Sequence, residues 1–412
     1  MKRALVLAGG GARGAYELGA WKALSELHID FQIVTGTSIG AVNGALLVQG
    51  DLQLAEKLWH QITIDDVMVG GVNISKSFES IINQMDSIRP FLKNYLNSKG
   101  ADITPFKNLL EKSVNEQRFL NSPIDYALVT VKFPSMIPIE MTKKDIHKGY
   151  LLQWVLASAS CFPAFPLCEI DGQTYIDGGY HDNLPIASAF RLGAEEIVAI
   201  DLNHNLIHEN YQHHPLVKYI KPSKYLGYLL SFERKQMESN ITLGYNDTMK
   251  AYGKYFGFKY TFTAQDCQHY AALAHRFVCR VAGQETGCLS IGNKPLTAAF
   301  VNAPYSAILM EHIVKTDASK FDLFVAAIEI CAELLNYPHD TVYNFNEFCR
   351  QLARDVRGRQ EYLFKDLSVI SDRRRIIRNI TQKQTIEQKI SGKQNKKIIA
   401  SILMTELNKS IL

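Results

Sequence analysis

Hydrophobic positions along the first 200 residues follow two alternating spacings. Short apolar runs predict strands, and stretches with apolar residues three or four positions apart predict helices. The predicted strands are RALVLA, FQIVTG, PIDYALVTVKF, TYIDGG and EEIVAIDL, and the clearest helices are GAYELGAWKALSEL and IGAVNGALLVQG. This alternation predicts an α/β fold with a mainly parallel sheet and helices on both faces. In such folds the loops after the carboxyl ends of the strands form the site.

The pattern changes in the second half of the chain. Residues 203–310 are rich in Tyr, His and Asn and give no clear assignment, whereas helical spacing dominates from about residue 314. We therefore predict an α/β domain over 1–310 and a helical, basic region over 311–412. Residues 149–168 carry no charge, but Pro163 and Pro166 interrupt them, which indicates a buried helix that ends in a proline turn. We expect no transmembrane helix.

Charge is distributed unevenly over the 412 residues. The net charge is +4, yet residues 351–412 hold 14 Lys and Arg against 6 Asp and Glu, so the rest is mildly acidic. The segment 372–403 places isoleucines among basic residues, which fits a helix lying on an anionic membrane. A helix packed on the body through the isoleucines is the commoner use of such a pattern. We expect no nucleic-acid partner, because the tail has no aromatic residue after Tyr362 and Phe364.

Cysteine use and the amino terminus indicate a cytoplasmic protein, with peripheral membrane contact as an option. Seven cysteines show no paired spacing, which favours a reducing compartment. The apolar run 4–8 is too short for a signal peptide. A loose group in the second half fits no standard zinc spacing, so we expect no metal: Cys267, His269, His275, Cys279 and Cys288.

The sequence GTSIG at residues 36–40 interrupts a strand-to-helix transition. Gly36 and Gly40 lie two positions on either side of Ser38, as a sharp turn with closely approaching backbones requires. Such a turn exposes the serine hydroxyl, which makes Ser38 a candidate nucleophile. The alternative is an ordinary junction in which the serine caps the helix.

A second glycine cluster, LVLAGGGARGAY, follows the first strand and opens the first helix. Its spacing matches a dinucleotide fingerprint, but the acidic residue expected at the end of the second strand is absent, because Gly36, Thr37 and Ser38 occupy that position. Backbone N–H groups of Gly10, Gly11 and Ala12 could instead stabilise an oxyanion, with Arg13 adding positive charge.

The third cluster, YIDGGYHDNLP, supplies a candidate base. Asp177 ends a strand, and Gly178 and Gly179 let the backbone turn away from its carboxylate. The alternative is an Asp-Gly turn without a chemical role. Asp182 and Asn183 read as turn residues before Pro185.

Together these clusters resemble the patatin-like phospholipase family. Three motifs carry the resemblance, supported by ASASCFPAFP and DNLP: the oxyanion loop Gly9, Gly10, Gly11, Ala12, Arg13 and Gly14, the nucleophile elbow Gly36, Ser38 and Gly40, and the aspartate motif Asp177, Gly178 and Gly179. The resemblance covers 4–201 well, 202–310 loosely and 311–412 not at all. It implies a three-layer αβα patatin-like fold with a mainly parallel central sheet.

The same resemblance implies a lipid acyl hydrolase of the phospholipase A type. Ser38 would be the nucleophile and Asp177 the proton acceptor, with no metal or organic cofactor, acting on a phospholipid or another acyl ester. Two alternatives stay open: an esterase or thioesterase acting on soluble esters, and a scaffold protein that keeps the fold without turnover. A Ser-His-Asp triad is a third arrangement, since histidines follow Asp177: His181, His204, His208, His213 and His214.

Overall fold

A computed structural model describes most of the chain. The described residues are 1–69, 101–204, 209–263, 270–286, 304–313, 318–359 and 392–410. They form two compact units, Met1–Ala251 and Tyr252–Leu412. We describe each unit by itself.

The first unit contains an eight-stranded sheet with the spatial order β5-β6-β3-β2-β1-β7-β8, and β4 pairs with β3 outside this path. Strands β1, β2, β3, β7 and β8 run parallel to their neighbours in this group. The strands are β1 (Arg3–Leu7), β2 (Ile33–Thr37), β3 (Asp125–Phe133), β4 (Ile137–Thr142), β5 (Cys168–Ile170), β6 (Gln173–Asp177), β7 (Glu196–Ile200) and β8 (Val217–Ile220). The predicted mainly parallel α/β sheet is confirmed, and all five predicted strands are present.

Strand β6 enters the sheet in the opposite direction from the parallel strands. It pairs antiparallel with the far end of β3, so that Asp177 lies opposite Thr130. The last residue of β2, Thr37, lies opposite Val129 on the same strand. The ends of β2 and β6 therefore reach adjacent positions along β3 from opposite sides.

Helices pack on both faces of this sheet, which gives the predicted three-layer αβα arrangement. They are α1 (Ala15–Glu26), α2 (Ile39–Val48), α3 (Leu52–Gln61), α4 (Thr104–Ser113), α5 (Glu116–Asn121), α6 (Leu151–Ser158), α7 (Ile186–Arg191), α8 (Glu209–Gln212) and α9 (Arg234–Ala251). Helix α2 is buried along its length because it is almost entirely apolar and packs on β2 and β3. Helix α6 is the buried helix expected within 149–168.

Helices α1 and α9 cross at backbone contact. A Cβ added at Gly19 would lie 1.9 Å from the carbonyl oxygen of Ile241, and one at Gly244 would lie 1.9 Å from that of Tyr16. Glycine is thus required on both helices at the crossing, since any larger residue would force them apart.

The second unit is mainly helical, with a small three-stranded sheet. It comprises β9 (Tyr255–Phe256), β10 (Thr261–Thr263), β11 (Val342–Asn344), α10 (Ala271–Thr286), α11 (Pro304–His312), α12 (Lys320–Leu334), α13 (Phe345–Gly358) and α14 (Gly392–Ser410). Helices α12 and α13 confirm the helical segments predicted after residue 314. The predicted domain boundary at 310/311 falls within α11, and the predicted domain limits stay a prediction.

Part of the basic segment 372–403 falls in α14. Its buried residues Ile399 and Leu403 belong to the hydrophobic core of the second unit. Residues 372–391 lie outside the described residues. Among the helices that the structure describes, none combines the length and apolar character needed to cross a membrane.

We predict that Gly244→Ala lowers the free energy of unfolding by about 1–3 kcal/mol, because the new methyl group overlaps the backbone of α1. Urea denaturation measures the change. Glu238→Ala, at an exposed position of the same helix, should change stability by less than about 0.5 kcal/mol. Equal stabilities of Gly244→Ala and Glu238→Ala would contradict the close crossing.

Candidate active site

Ser38 occupies a strained turn between β2 and α2. Its φ of 56° and ψ of −123° are unusual for a residue with a side chain. A Cβ at Gly36 would lie 2.3 Å from the carbonyl oxygen of Gly40, and one at Gly40 would lie 2.4 Å from that of Leu7. The two glycines therefore permit the backbone contacts that push the Ser38 side chain out of the sheet.

A hydrogen-bonded serine supports this turn from α6. The Ser38 N–H donates to the Ser158 hydroxyl at 2.9 Å, and that hydroxyl donates to the Val129 carbonyl oxygen at 2.7 Å. The strained residue is thus tied to β3 through a fully buried side chain. This contact helps to offset the backbone strain at Ser38.

Asp177 lies beside Ser38 at the end of β6. Its N–H donates to the Ser160 carbonyl oxygen at 2.9 Å, and its carboxylate accepts from the Gly179 N–H at 2.7 Å. Burial raises the pKa of Asp177 to about 6, while hydrogen bonds from the Ser38 hydroxyl and from Gly179 lower it. The side chain is therefore a carboxylate at neutral pH, with a higher proton affinity than an exposed aspartate.

The two glycines after Asp177 allow its carboxylate to stay beside the serine. A Cβ at Gly178 would lie 2.1 Å from the Val129 carbonyl oxygen, so this position packs directly on β3. A Cβ at Gly179 would lie 3.1 Å from Oδ1 of Asp177. Side chains at these positions would displace the carboxylate or the strand.

The glycine loop between β1 and α1 faces the same site. The Gly9 N–H donates to the Asn183 carbonyl oxygen at 2.9 Å, and the Ala12 N–H donates to that of Leu229 at 2.7 Å. Within the described part of the chain, no acceptor lies at the N–H of Gly10 or of Gly11. These two amides are therefore the loop donors that remain available to a ligand.

Two further loop residues, Arg13 and Gly14, have structural contacts. Arg13 donates from Nε to the Gly227 carbonyl oxygen at 2.7 Å, and its guanidinium lies 5.4 Å from the centre of the Tyr225 ring. Gly14 lies against Ile39, since a Cβ there would approach that side chain to 2.6 Å. The loop is thus held in place on both sides.

Asn183 was predicted to be only a turn residue, but in the structure its side chain has specific contacts with the glycine loop. Its Nδ2 donates to the Gly9 carbonyl oxygen at 3.0 Å, which completes a pair of hydrogen bonds with Gly9. Its Oδ1 occupies the space that a Cβ at Gly9 or Gly179 would need, at 2.4 and 2.9 Å. In the sequence, the only sign of this role was an amide side chain just before Leu184 and Pro185. The sequence could not indicate its partner, Gly9, which lies 174 residues away.

A buried carboxyl group, absent from the predicted site, lies beneath the loop. Glu17 on α1 accepts from Nδ2 of Asn43 at 2.8 Å, and the same amide donates to the Gly14 carbonyl oxygen at 3.1 Å. Burial raises the pKa of Glu17 well above its usual value. Burial therefore favours the neutral form of Glu17, and Asn43 connects this side chain to the end of the glycine loop.

An apolar cavity of about 360 Å³ opens onto the serine. Its polar groups come from the glycine loop and from Ser38, Asp177, Tyr180, Asn183 and Asn203. The apolar walls include Ile39, Ile62, Val67, Phe106, Ala159, Ala164, Phe165, Leu202, Leu229, Leu230 and Phe232. Such a lining suits a hydrocarbon chain and offers few groups to bind a strongly polar molecule.

The described residues show whether a histidine or a group of metal ligands lies at the cavity. Of the described residues that line the cavity, none is a histidine, and His181 is exposed to solvent. Among the residues that the structure describes, no group of His, Cys, Asp or Glu is arranged to hold a metal ion. From the Cys/His group, Cys267, His269 and Cys288 lie outside the described residues.

The raised pKa of Asp177 predicts an effect on stability. Between about pH 4 and pH 6 the folded protein binds the proton more tightly than the unfolded chain, so ionisation above this range lowers stability by about 3 kcal/mol. We predict that Asp177→Asn raises the melting temperature near pH 8, and that this gain shrinks as the pH falls towards 4. Asp30→Asn, an exposed change, is the control. A gain that does not vary with pH would contradict the buried carboxylate.

Comparison with known proteins agrees with the motifs. Residues 5–190 match the family described as Patatin-like phospholipase. Patatin-like phospholipase domain-containing protein 7 of Rattus norvegicus is 31% identical over 202 residues, which cover 48% of this chain and 13% of that protein. Lysophospholipase NTE1 of Phaeosphaeria nodorum is 32% identical over 202 residues, covering 48% of this chain and 12% of that protein.

The similarity is confined to one part of each protein, and the alignments span about an eighth of the length of these relatives. Among solved structures, VipD from Legionella pneumophila aligns with 100% of this chain and 91% of its own, at 16% identity and a TM-score of 0.40. That structural likeness is too weak to support an argument about function. The match of residues 5–190 to the patatin-like phospholipase family model confirms the resemblance seen in the three motifs.

Proposed function

We propose that this chain is a lipid acyl hydrolase of the phospholipase A type that uses Ser38 and Asp177 as a catalytic dyad. The observation that carries the proposal is the position of the strained Ser38 turn beside the buried Asp177 carboxylate, whose pKa the serine hydroxyl lowers. This pair lies in an apolar cavity beside two available backbone donors. The groups to which we assign the roles of nucleophile, base and oxyanion donor line the same cavity, which supports acyl transfer.

In the proposed reaction, Oγ of Ser38 attacks the ester carbonyl carbon, and Asp177 accepts the proton that the Ser38 hydroxyl loses. The tetrahedral intermediate collapses when the C–O bond to the alcohol breaks, and Asp177 returns the proton to the leaving oxygen. A water molecule then attacks the acyl-enzyme, and Asp177 accepts its proton in turn. The fatty acid leaves and Ser38 regains its hydrogen.

The negative charge that develops on the carbonyl oxygen needs donors that are already oriented. We assign this role to the N–H groups of Gly10 and Gly11, since the N–H of Ala12 donates to Leu229. Gly11 has a φ of 54°, a backbone conformation that glycine adopts at little cost. Loss of one such donor usually slows acyl transfer about 10²–10³-fold.

The substrate class follows from the cavity and from the relatives. The walls near Ser38 are apolar and can accept an acyl chain, while the open side leaves room for the polar part of the molecule. The relatives named as phospholipase-domain proteins and lysophospholipases support a lipid ester. The proposed chemistry needs no metal or organic cofactor, because serine and aspartate supply both nucleophile and base.

We predict that Ser38→Ala and Asp177→Asn each lower fatty-acid release from phospholipid vesicles by at least about 10³-fold. The first removes the nucleophile and the second removes the proton acceptor. Fatty-acid release and labelling by a fluorophosphonate probe measure the two effects. Ser25→Ala and Asp30→Asn serve as matched controls at exposed positions. Near-normal turnover of Asp177→Asn would show that the base lies elsewhere.

We also predict the pH dependence of the reaction. Since Asp177 must be ionised to accept a proton, kcat/KM should fall as the pH drops through about 6. A soluble short-chain ester should be used, so that vesicle properties do not change with pH. A rate that stays constant from pH 8 to about pH 4.5 would contradict the assigned base.

A further inference from the structure

The loop between β8 and α9, residues 221–233, lies against the site and exposes aromatic side chains. We call this segment the strap. Tyr225 and Tyr228 are 52% and 46% exposed, although their rings are large and partly apolar. The two rings meet edge to face at 6.3 Å. Tyrosine is favoured at the boundary between water and lipid, where its ring and its hydroxyl face different surroundings.

The inner side of the strap is fixed by hydrogen bonds. From α9, Asn240 donates to the Leu226 carbonyl oxygen at 2.9 Å, and Asp247 accepts from the Ser223 N–H at 2.9 Å. The carbonyl oxygen of Leu229 accepts from Ala12 in the glycine loop. The strap is therefore an ordered support whose outward face carries the tyrosines.

The strap is continuous with the apolar cavity. Leu229, Leu230 and Phe232 line the cavity that contains Ser38. Tyr228 directly precedes the first of these residues and faces solvent. An acyl chain that moved from a lipid layer to Ser38 past this edge would stay in contact with apolar groups.

The charge on and next to the strap is positive. Four basic residues lie between residues 221 and 235, with Glu233 as the single acid: Lys221, Lys224, Arg234 and Lys235. Lys224 and Lys235 are exposed. Basic side chains beside interfacial aromatic rings complement a bilayer that carries anionic lipids.

We propose that the strap is the surface by which this protein docks on an anionic phospholipid bilayer. The tyrosines enter the headgroup layer, the lysines contact lipid phosphates, and the cavity mouth then faces the layer that supplies the ester. This inference rests on the proposed lipid hydrolase function. It assigns docking to the first unit, in place of the basic segment 372–403.

Vesicle binding can be measured without turnover. The full chain with Ser38→Ala is sedimented with phosphatidylcholine vesicles that contain about 30% phosphatidylserine, with and without Tyr228→Asp. We expect Tyr228→Asp to weaken binding by about tenfold or more. The matched control is Leu216→Asp, which changes an apolar residue of equal exposure, 46%. Leu216 lies just before β8, at the amino-terminal end of the parallel strands and so away from Ser38. Its substitution should therefore leave binding unchanged.

Activity provides a second measurement in the chain that retains Ser38. Lys224→Glu should lower fatty-acid release from the same vesicles about tenfold while turnover of a short soluble ester stays normal. Lys148→Glu, another exposed lysine, should affect neither substrate. Normal turnover of the soluble ester also shows that Lys224→Glu is folded and that its site is intact.

The outcomes separate the docking inference from the proposed function. Weaker binding caused by the strap variants alone supports docking, even if the wild-type chain releases no fatty acid, which would refute only the hydrolase proposal. Unchanged vesicle binding of Tyr228→Asp would overturn the inference, as would fatty-acid release from vesicles that Lys224→Glu leaves unchanged. Loss of binding only when Arg373, Arg374 and Arg375 are changed to Glu would likewise overturn it, in favour of the basic segment.

Discussion

Backbone atoms meet around Ser38 with no space for a Cβ between them. Gly36 lies against the carbonyl of Gly40, Gly40 against the carbonyl of Leu7, and Gly178 against that of Val129. These contacts bring the ends of β1, β2 and β6 together with the start of α2. The strained conformation of Ser38, the position of the Asp177 carboxylate and the path of the glycine loop all depend on this close approach.

The same crowding explains the electrostatics of the site. Because the strand ends exclude water, Asp177 loses much of its solvation, and its pKa rises to about 6. Two hydrogen bonds, from Ser38 and Gly179, compensate only in part. The protein thus accepts a less stable fold in order to keep a more basic carboxylate next to a serine. Trade-offs of this kind are common where a buried group has a chemical role.

Sequence reasoning identified what has a local signature. The turn at Ser38, the glycine loop and the Asp177 motif each contain a distinctive glycine pattern, and each adjoins the end of a strand that hydrophobic spacing predicts. The antiparallel return of β5 and β6 was not predicted, because strand direction depends on distant partners. The pairing of Asn183 with Gly9 and of Leu229 with Ala12 was missed for the same reason. Backbone carbonyls are present in every residue, so a sequence does not indicate which one serves as an acceptor.

The crossing of α1 and α9 has a mechanical consequence. The glycine loop leads directly into α1, and the strap leads directly into α9. Since Gly19 and Gly244 leave no space between these helices, one cannot slide past the other without a backbone clash. A force applied to the strap is therefore transmitted through α9 and α1 to Gly10 and Gly11 with little deformation. The outward-facing strap and the glycine loop, to which we assign the oxyanion donors, therefore behave as one stiff body.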